Sequence, residues 1–194
     1  MIAVLLALGG SVPVVYGSSI QLKSVYTKNR LGVTTETAAS SRQDPVIFSS
    51  RPPYDDGWLW TVEPDEENSS LARTAVACGS IIAFSNPFSG AYLSTKKTES
   101  GFEVVPATAN TDTSSQWTVQ CESGDIWEDS TEILIVNLRN KCMLRTGFEK
   151  FQNKFAVNCT TELDKGAVWK SAEGIYFPVH SAERPKSSLT DEEL

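Results

Sequence analysis

The chain has 194 residues, of which 40% are hydrophobic and 21% charged, and its formal net charge is -7. This length and composition predict one globular domain with a sizeable core and disfavour a disordered or fibrous chain. The acidic balance leaves no positive surface to neutralise phosphates, which argues against a nucleic-acid partner. No segment beyond the N-terminus has the roughly 20 apolar residues that a membrane-spanning helix requires.

The first 17 residues are mostly apolar and carry no charged side chain. Such a segment is typical of a secretory signal peptide, and Val15 and Gly17 supply the small residues expected just before a cleavage after Gly17. We therefore expect residues 1-17 to be a signal peptide and the folded domain to occupy residues 18-177. A buried first strand is the alternative interpretation of the same apolar run.

Three stretches of the chain share one spacing. In each, an isoleucine stands 11 positions before a leucine, a second apolar residue follows the isoleucine two positions later, and a tryptophan closes the unit. The isoleucines are Ile20, Ile82 and Ile133, the leucines are Leu31, Leu93 and Leu144, and the tryptophans are Trp60, Trp117 and Trp169. The alternation predicts half-buried strands, and the polar connection to each leucine predicts a hairpin.

Each unit holds about 50 residues and four short apolar segments, so together they predict a closed all-β barrel with threefold pseudosymmetry, the β-trefoil. A three-bladed propeller has the same strand count, but propellers typically need at least four blades. In the middle unit, Pro106 confines its apolar pair with Val104 to a sheet edge or strand end. We expect little helix and place the repeats at about 18-70, 77-123 and 124-177.

The four cysteines, Cys78, Cys121, Cys142 and Cys159, favour two disulfides in an oxidising compartment. They form no C-x-x-C pair, and the single histidine, His180, lies near the C-terminus, which disfavours a zinc site. Four cysteines allow three pairings, and the sequence alone does not choose among them. Because the first and last strands of a trefoil unit lie close together, the fold favours Cys78 with Cys121 and then Cys142 with Cys159.

Asn68 and Asn158 each begin an Asn-X-Ser/Thr motif and are candidate glycan acceptors, which we expect to lie on loops. The acid-rich segment 63-70 lacks the 12-residue spacing and central glycine of an EF-hand, so a solvated loop is the better interpretation. Trp58 and Trp127 lie outside the repeating positions. They mark either an interface or burial beneath a loop.

Several stretches resemble the MIR-domain proteins of the stromal cell-derived factor 2 (SDF2) type. They are "CGSIIAFSNPFSGAYLST", "QWTVQC" and, most specifically, "VWKSAEGIYF" at Val168 to Phe177. The resemblance implies a β-trefoil of three MIR repeats in the endoplasmic reticulum lumen, without catalytic activity. It also implies work with the luminal Hsp70 chaperone and its J-domain co-chaperone in folding and quality control of unfolded or O-mannosylated proteins. Cys78 and Cys121 match the disulfide of the family's second repeat.

The chain departs from the family at the hairpins, where members usually carry a Leu-His-Ser-His type segment. Here the first copy reads Leu31-Gly32-Val33-Thr34, and no repeat contains a histidine. Any ligand chemistry that depends on those histidines cannot be carried over. We therefore predict no catalytic, cofactor-binding or metal-ligating residue, and no enzyme.

The segment 178-194 is rich in proline, serine and charge, which predicts an exposed spacer. It ends in Asp191, Glu192, Glu193 and Leu194, a variant of the K-D-E-L type retrieval signal in which an acidic residue replaces the basic one. The alternative is a secreted β-trefoil binding protein, either a Kunitz-type protease inhibitor or a lectin. The ricin-type lectin pattern requires a glutamine two residues before each tryptophan, and none is present.

Overall fold

A computed structural model describes residues 11-33, 47-50, 56-65, 71-151 and 154-176. These residues form twelve strands and two single turns of 3₁₀ helix, at Asp56–Trp58 and Lys165–Ala167. The strands are β1 (Ser19–Ser24), β2 (Arg30–Val33), β3 (Ile47–Ser50), β4 (Trp60–Pro64), β5 (Ile81–Ser85), β6 (Tyr92–Thr98), β7 (Gly101–Ala107), β8 (Trp117–Cys121), β9 (Ile133–Asn137), β10 (Met143–Phe151), β11 (Lys154–Thr160) and β12 (Val168–Ile175). The predicted all-β class is confirmed.

Six of the strands close into a ring, and every pairing is antiparallel. The first and last strands of each predicted unit pair with each other, as β1 with β4, β5 with β8 and β9 with β12. Neighbouring units pair through β4 with β5, β8 with β9 and β12 with β1. The remaining six strands form three hairpins, which join through β11 to β3 and β7.

The predicted leucine and tryptophan positions meet in the core. In each unit the tryptophan Nε1–H donates to the leucine carbonyl oxygen, at 3.1 Å for Trp60, 2.9 Å for Trp117 and 2.8 Å for Trp169. All three indoles are completely buried. A buried indole N–H without a partner costs free energy, so this bond lets a large aromatic side chain fill the core at the same place three times.

A second threefold pattern closes one end of the ring of strands. The Val14 N–H donates to Trp127 O at 2.8 Å, the Trp127 N–H donates to Val76 O at 2.9 Å, and the Val76 N–H donates to Val14 O at 2.9 Å. The three backbone segments therefore form a closed cycle of hydrogen bonds. All three side chains are fully buried at its centre.

This packing bears on the predicted start of the folded domain at Ser18. Val14 and Val15 are fully buried and Tyr16 is 3% exposed, so a cleavage after Gly17 would remove part of the core and open the cycle. We propose that the domain begins at Ser11 or earlier. Residues 1-10 lie outside the described residues, and a signal peptide there stays a prediction.

Two asparagines tie consecutive units together at the turns after β5 and β9. Asn86 Nδ2 donates to Leu59 O at 2.8 Å, and Asn137 Nδ2 donates to Gln116 O at 3.2 Å, just before the tryptophan of the preceding unit in each case. Ser24 holds the matching position in the first unit and caps only its own turn, where it accepts from the Thr27 N–H. The first unit therefore lacks this side-chain link.

The two extra tryptophans are core residues. Trp127 is fully buried and packs edge-on against Phe84 with ring centroids 6.4 Å apart, and Trp58 is 3% exposed and packs edge-on against Phe48 at 5.5 Å. Of the two predicted interpretations, burial is the one observed. Pro106 lies near the end of β7, as predicted, beyond the residues of β7 that pair with β11, and it pairs with Leu93 on β6.

Candidate functional site

The four cysteines form the two predicted disulfides. Cys78 is bonded to Cys121 with Cα atoms 5.6 Å apart, and Cys142 is bonded to Cys159 with Cα atoms 5.3 Å apart. The first bond is partly exposed and joins the entry of the second unit to its last strand, whereas both sulfurs of the second belong to buried residues. Both disulfides cross-link the fold, and none of the four cysteines is a free thiol.

A polar cleft of about 490 Å³ opens on the outer face of the barrel, where the β6–β7 and β10–β11 hairpins meet. Strand register places its floor residues Glu103, Arg145 and Asn158 side by side. Asn158 on β11 lies opposite Arg145 on β10 and opposite Glu103 on β7, and Glu103 in turn lies opposite Lys96 on β6. Directly paired residues point to the same face with Cβ atoms about 5 Å apart, so these four side chains form one row.

The row points away from the core, since Lys96 and Glu103 are exposed and the other two members alternate with buried residues along their strands. Asn158 stands between buried Val157 and Cys159, and Arg145 stands between buried Leu144 and Thr146. Asn158 Oδ1 is nevertheless enclosed by its neighbours and accepts no hydrogen bond from the protein. A buried acceptor without a partner costs the folded chain free energy.

Two loops form the walls of the cleft. The β6–β7 turn contributes Thr98 and Ser100, whose hydroxyls are 3.3 Å apart, and the end of β11 with the turn after it contributes Thr160 and Glu162. At the far side the Arg145 Nε–H donates to Asp164 Oδ2 at 2.5 Å, which fixes the direction of the guanidinium. The cleft therefore presents hydroxyls, an amide, a guanidinium and carboxylates over a short distance.

The position of Asn158 differs from the sequence prediction. It was expected on a loop as a glycan acceptor, but it lies within β11, paired on both sides. A transferase needs access to the side-chain amide on an exposed segment, and a strand flanked by two others does not supply that. Asn68, the other candidate acceptor, lies outside the described residues.

A second, apolar groove of about 270 Å³ lies beside β9 and the start of β12. Its apolar lining comes from Cys121, Ile133, Leu134, Leu163 and Val168, and its polar lining from Gln120, Glu122 and Glu132. Leu163 is 67% exposed at its edge. The partly exposed disulfide to Cys121 thus borders an apolar surface.

Two titratable groups depart from their ordinary behaviour. The Ser114 backbone N–H donates to Asp112 Oδ1 at 3.0 Å, and this bond, together with the Arg139 guanidinium at 2.9 Å, lowers the pKa of the Asp112 carboxyl. Burial raises the pKa of the Tyr176 phenol. Neither group lies in the polar cleft.

Other predicted sites fall into two groups. Of the acid-rich segment 63-70, Glu63 is described and accepts hydrogen bonds from Ser85 Oγ and Tyr92 Oη, a structural role. The terminal residues Asp191, Glu192, Glu193 and Leu194 lie outside the described residues.

In the part of the chain that the structure describes, no group of three His, Cys, Asp or Glu side chains is placed to hold a metal ion. Over the same residues, no helix has the length and apolar character needed to cross a membrane.

No pattern in the sequence predicted the polar cleft. Lys96, Glu103, Arg145 and Asn158 are scattered over about 60 positions and belong to no motif except the Asn158 sequon. Only the register of four strands from two units brings them into one row. An alternation analysis places each residue on the outer face but does not say which outer residues become neighbours.

No family model and no curated protein sequence matches the chain. Among solved structures, the crystal structure of the SDF2-like protein from Arabidopsis thaliana is similar with a TM-score of 0.78 and 24% identity, over 88% of this chain and 100% of that one. A Caenorhabditis elegans protein of unknown function is similar with a TM-score of 0.72 and 21% identity, over 84% and 96%.

A third similar structure is the protein O-mannosyltransferase Pmt1-Pmt2 complex of S. cerevisiae bound to the sugar donor. The TM-score is 0.72 at 15% identity, over 88% of this chain but only 26% of that one. The fold thus also occurs as part of a larger chain. The chain has the fold of the Arabidopsis SDF2-like protein over that protein's entire length, and the predicted resemblance to the SDF2 type is confirmed at the level of the fold.

Proposed function

We propose that the chain is a β-trefoil of three MIR-type repeats that belongs to the SDF2-like family. It acts without catalysis in the endoplasmic reticulum lumen, where it assists protein folding and quality control together with the luminal Hsp70 and its J-domain co-chaperone. The observation that carries the proposal is the likeness to the Arabidopsis SDF2-like protein, which spans that chain completely.

The most specific stretch of the resemblance, Val168 to Phe177, supports the assignment because its glycine has a structural reason. Gly174 lies where β12 crosses closest to β1, and a Cβ atom there would stand 2.6 Å from Ser19 O and 2.9 Å from Ile20 Cα. Only glycine permits this approach without a shift of the backbone. The Trp169 side chain of the same stretch fills the core of the third unit.

Two features of the chain, its disulfides and its last four residues, support the proposed compartment. Two disulfides persist in an oxidising lumen and are rare in the cytosol. The last four residues, 191-194, resemble a retrieval signal except at Asp191, where the usual residue is basic. We propose that this variant signal returns the protein to the endoplasmic reticulum.

Affinity capture from gently lysed cells tests the proposed partners. An epitope inserted between residues 185 and 186 leaves the terminal four residues free, and the expected capture contains the luminal Hsp70 and a J-domain protein. The control bait is a luminal protein of another fold with the same epitope and the same four terminal residues. Capture of neither chaperone above this control overturns the proposed role, whereas tight stoichiometric inhibition of a serine protease favours the secreted alternative.

Deletion of residues 191-194 tests the proposed compartment separately. The truncated protein is expected in the culture medium, because nothing then returns it from the later secretory pathway. Asp191→Lys restores the basic residue of the usual signal and is the matched control, expected to be retained at least as well as the natural chain. If the truncated protein stays in the lumen, residues 191-194 are not the retrieval signal.

A further inference from the structure

A surface rich in lysine surrounds the start of β12, and we propose that it binds the chain's own C-terminal segment, residues 187-194. The surface has an apolar floor that contains Val25 and Val168. Its rim carries four lysines, Lys23, Lys28, Lys165 and Lys170. The binding goes beyond the folding role above and does not depend on it, whereas its consequence for retrieval rests on the proposed function.

The floor of this lysine surface is a pocket of about 420 Å³ between the β1–β2 turn and the 3₁₀ turn that precedes β12. The Val25 N–H donates to Val168 O at 2.9 Å, so the two valines meet there. Lys23 lies two residues before Val25 and is paired directly with Lys170, which lies two residues after Val168. Residues two apart on a strand share a face, so both lysines stand beside the pocket on the outside of the barrel.

The lysines of this surface lack carboxylate partners. None of the four forms an ion pair with any residue that the structure describes. Lys23 and Lys170 are directly opposite each other, and like charges in that position destabilise a sheet. Among the described residues that line the pocket, Glu132 alone is acidic. A chain of net charge -7 therefore has here a locally positive surface that an anionic ligand stabilises.

The floor of the surface favours an anion that also carries apolar groups. Tyr26 lines the same pocket and is 52% exposed. Leu163, which is 67% exposed, lines the neighbouring groove together with Val168. A small inorganic anion leaves this apolar surface in contact with water. A peptide with leucines beside its carboxylates covers the surface and pairs with the lysines at the same time.

Residues 187-194, with the sequence SSLTDEEL, have this chemistry. They contain three acidic side chains and no basic one, and Leu189 and Leu194 stand on either side of the acidic run. The four lysines and Glu132 give the surface a formal charge of +3 from the side chains named, and the three acidic side chains of the segment carry the opposite charge. Charge and apolar character therefore both match.

The distance from the end of β12 to the pocket allows the same chain to supply the ligand. Ile175 ends β12 seven residues after Val168, which is about 23 Å along the strand. Fourteen residues, 177-190, precede the acidic run. A chain of that length reaches about 46 Å when fully extended, and the ends of an unstructured one lie about 20 Å apart on average. A tether that matches its span gives an effective concentration in the millimolar range, so weak binding suffices.

Binding of this segment controls access to the C-terminus. While residues 187-194 lie on the lysine surface, the last four residues contact the barrel and are not free for a retrieval receptor. An acidic partner that binds the same lysines releases them. Under the proposed function, retrieval is then strongest when the lysine surface is occupied by a partner.

The test compares amide NMR spectra of the ¹⁵N-labelled, disulfide-bonded natural chain with those of a shortened chain that ends at Lys186. Removal of residues 187-194 is expected to shift the signals of Val25, Tyr26 and Val168. Addition of the peptide SSLTDEEL to the shortened chain is expected to restore those shifts saturably. The same peptide with Asp191→Asn, Glu192→Gln and Glu193→Gln is expected to bind about tenfold more weakly, because three ion pairs are lost.

Two double variants of the shortened chain locate the binding surface. Lys23→Gln/Lys170→Gln is expected to weaken binding of the peptide about fivefold, because two cations are removed beside the pocket. Lys96→Gln/Lys97→Gln is the matched control, since it removes the same charge from exposed positions on β6. This control is expected to leave the affinity for the peptide unchanged.

Competition distinguishes the chain's own segment from a separate partner. The natural chain is expected to bind the added peptide at least about fivefold more weakly than the shortened chain, because the tethered segment already occupies the surface. The proposal is overturned if the deletion shifts no signal around the pocket or if Lys23→Gln/Lys170→Gln binds the peptide as well as the control variant. Equal affinity of the natural and shortened chains also overturns it and assigns the lysine surface to a separate acidic protein. These measurements use purified protein, so their failure is distinct from failure of the retrieval test in cells.

Discussion

In the first and second repeats, matching backbone hydrogen bonds join the start of the unit to its last strand, but only one of the two repeats adds a covalent bond there. In the first, Gly17 N–H donates to Val62 O at 2.7 Å and the Val62 N–H returns a bond to Ser18 O at 2.9 Å. In the second, the Gly79 N–H donates to Val119 O at 2.6 Å and the Val119 N–H donates to Ser80 O at 3.3 Å. The second repeat adds a disulfide beside these bonds, whereas the first has none.

The residues that replace the disulfide explain how the first repeat stays closed. Tyr16 in the first repeat corresponds to Cys78 in the second, because each stands just before the glycine that donates the first of these bonds. Pro64 corresponds to Cys121, because each stands four residues after the tryptophan of its unit. Tyr16 is 3% exposed and belongs to the hydrophobic core. Burial of apolar surface therefore does in one unit what a covalent bond does in the next, and the first unit depends on its N-terminal segment.

Removing that segment tests this dependence and has the largest expected effect. A chain that begins at Ser18 loses the burial of Val14, Val15 and Tyr16, each contributing roughly 1.5-3 kcal/mol, and also opens the cycle of hydrogen bonds. The sum is comparable with the whole stability of a domain, so we expect loss of cooperative thermal unfolding. A chain that begins at Ser11 is the control and is expected to fold.

Circular dichroism and thermal denaturation of the two chains provide the measurement. If the chain that begins at Ser18 melts within a few degrees of the control, residues 12-17 are dispensable, and the boundary predicted from the sequence stands after all.

Removing the disulfides tests the covalent side of the comparison. The Cys78→Ala/Cys121→Ala double variant releases a loop of 43 residues and is expected to lose about 4 kcal/mol of unfolding free energy. The Cys142→Ala/Cys159→Ala variant releases 17 residues and is expected to lose about 3 kcal/mol. Urea denaturation of both double variants checks the order. A larger loss from the second pair would show that its burial outweighs loop length.

A smaller effect is expected from the asparagine links that only the later repeats possess. Asn86→Ser installs the residue that the first repeat carries at Ser24 and removes the bonds from Nδ2 to Gly57 O and Leu59 O. We expect a loss of about 1-3 kcal/mol, because buried carbonyls then lose a donor. Urea denaturation measures it, with Asn110→Ser in the irregular segment before β8 as the control. Equal stabilities of these two variants would mean that the link between units contributes nothing.

The smallest effect concerns charge at the exposed contact between Asp112 and Arg139. Because the folded pKa of Asp112 is lowered below 3.8, its carboxylate stabilises the fold above that pH, and the contribution is lost as the pH falls through the folded value. Asp112→Asn is therefore expected to be slightly less stable than the natural chain at about pH 7, with the difference vanishing near pH 2. A difference that persists in acid would assign the effect to shape instead of charge.

The repeat itself could be predicted because its constraint is local. A tryptophan, a leucine and two alternating apolar residues must stand at fixed spacings to reach one core, so Trp60, Trp117 and Trp169 are visible in the sequence before any contact is known. The cysteine pairs were predicted from the same repeat, because the first and last strands of a trefoil unit lie close together. These features repeat, and repetition distinguishes them from chance.

The N-terminal segment could not be assigned from the sequence because two different demands produce the same composition. A signal peptide must be apolar for the membrane, and Val14 and Val15 must be apolar for the core. The polar cleft was missed for another reason, since Asn158 and Glu103 become neighbours only through pairing between units. Both failures concern contacts between distant parts of the chain.

The cycle of hydrogen bonds around Val14 has a consequence for the order of folding during synthesis. Its N-terminal member binds the third repeat, and the Val12 N–H reaches Asp129 Oδ1 across 117 residues. A ribosome adds roughly 5-20 residues per second, so the emerging first repeat waits several seconds for its partner. During that interval the apolar side chains of residues 14-16 are uncovered. The nascent chain therefore exposes part of its apolar core until its third repeat has been synthesised.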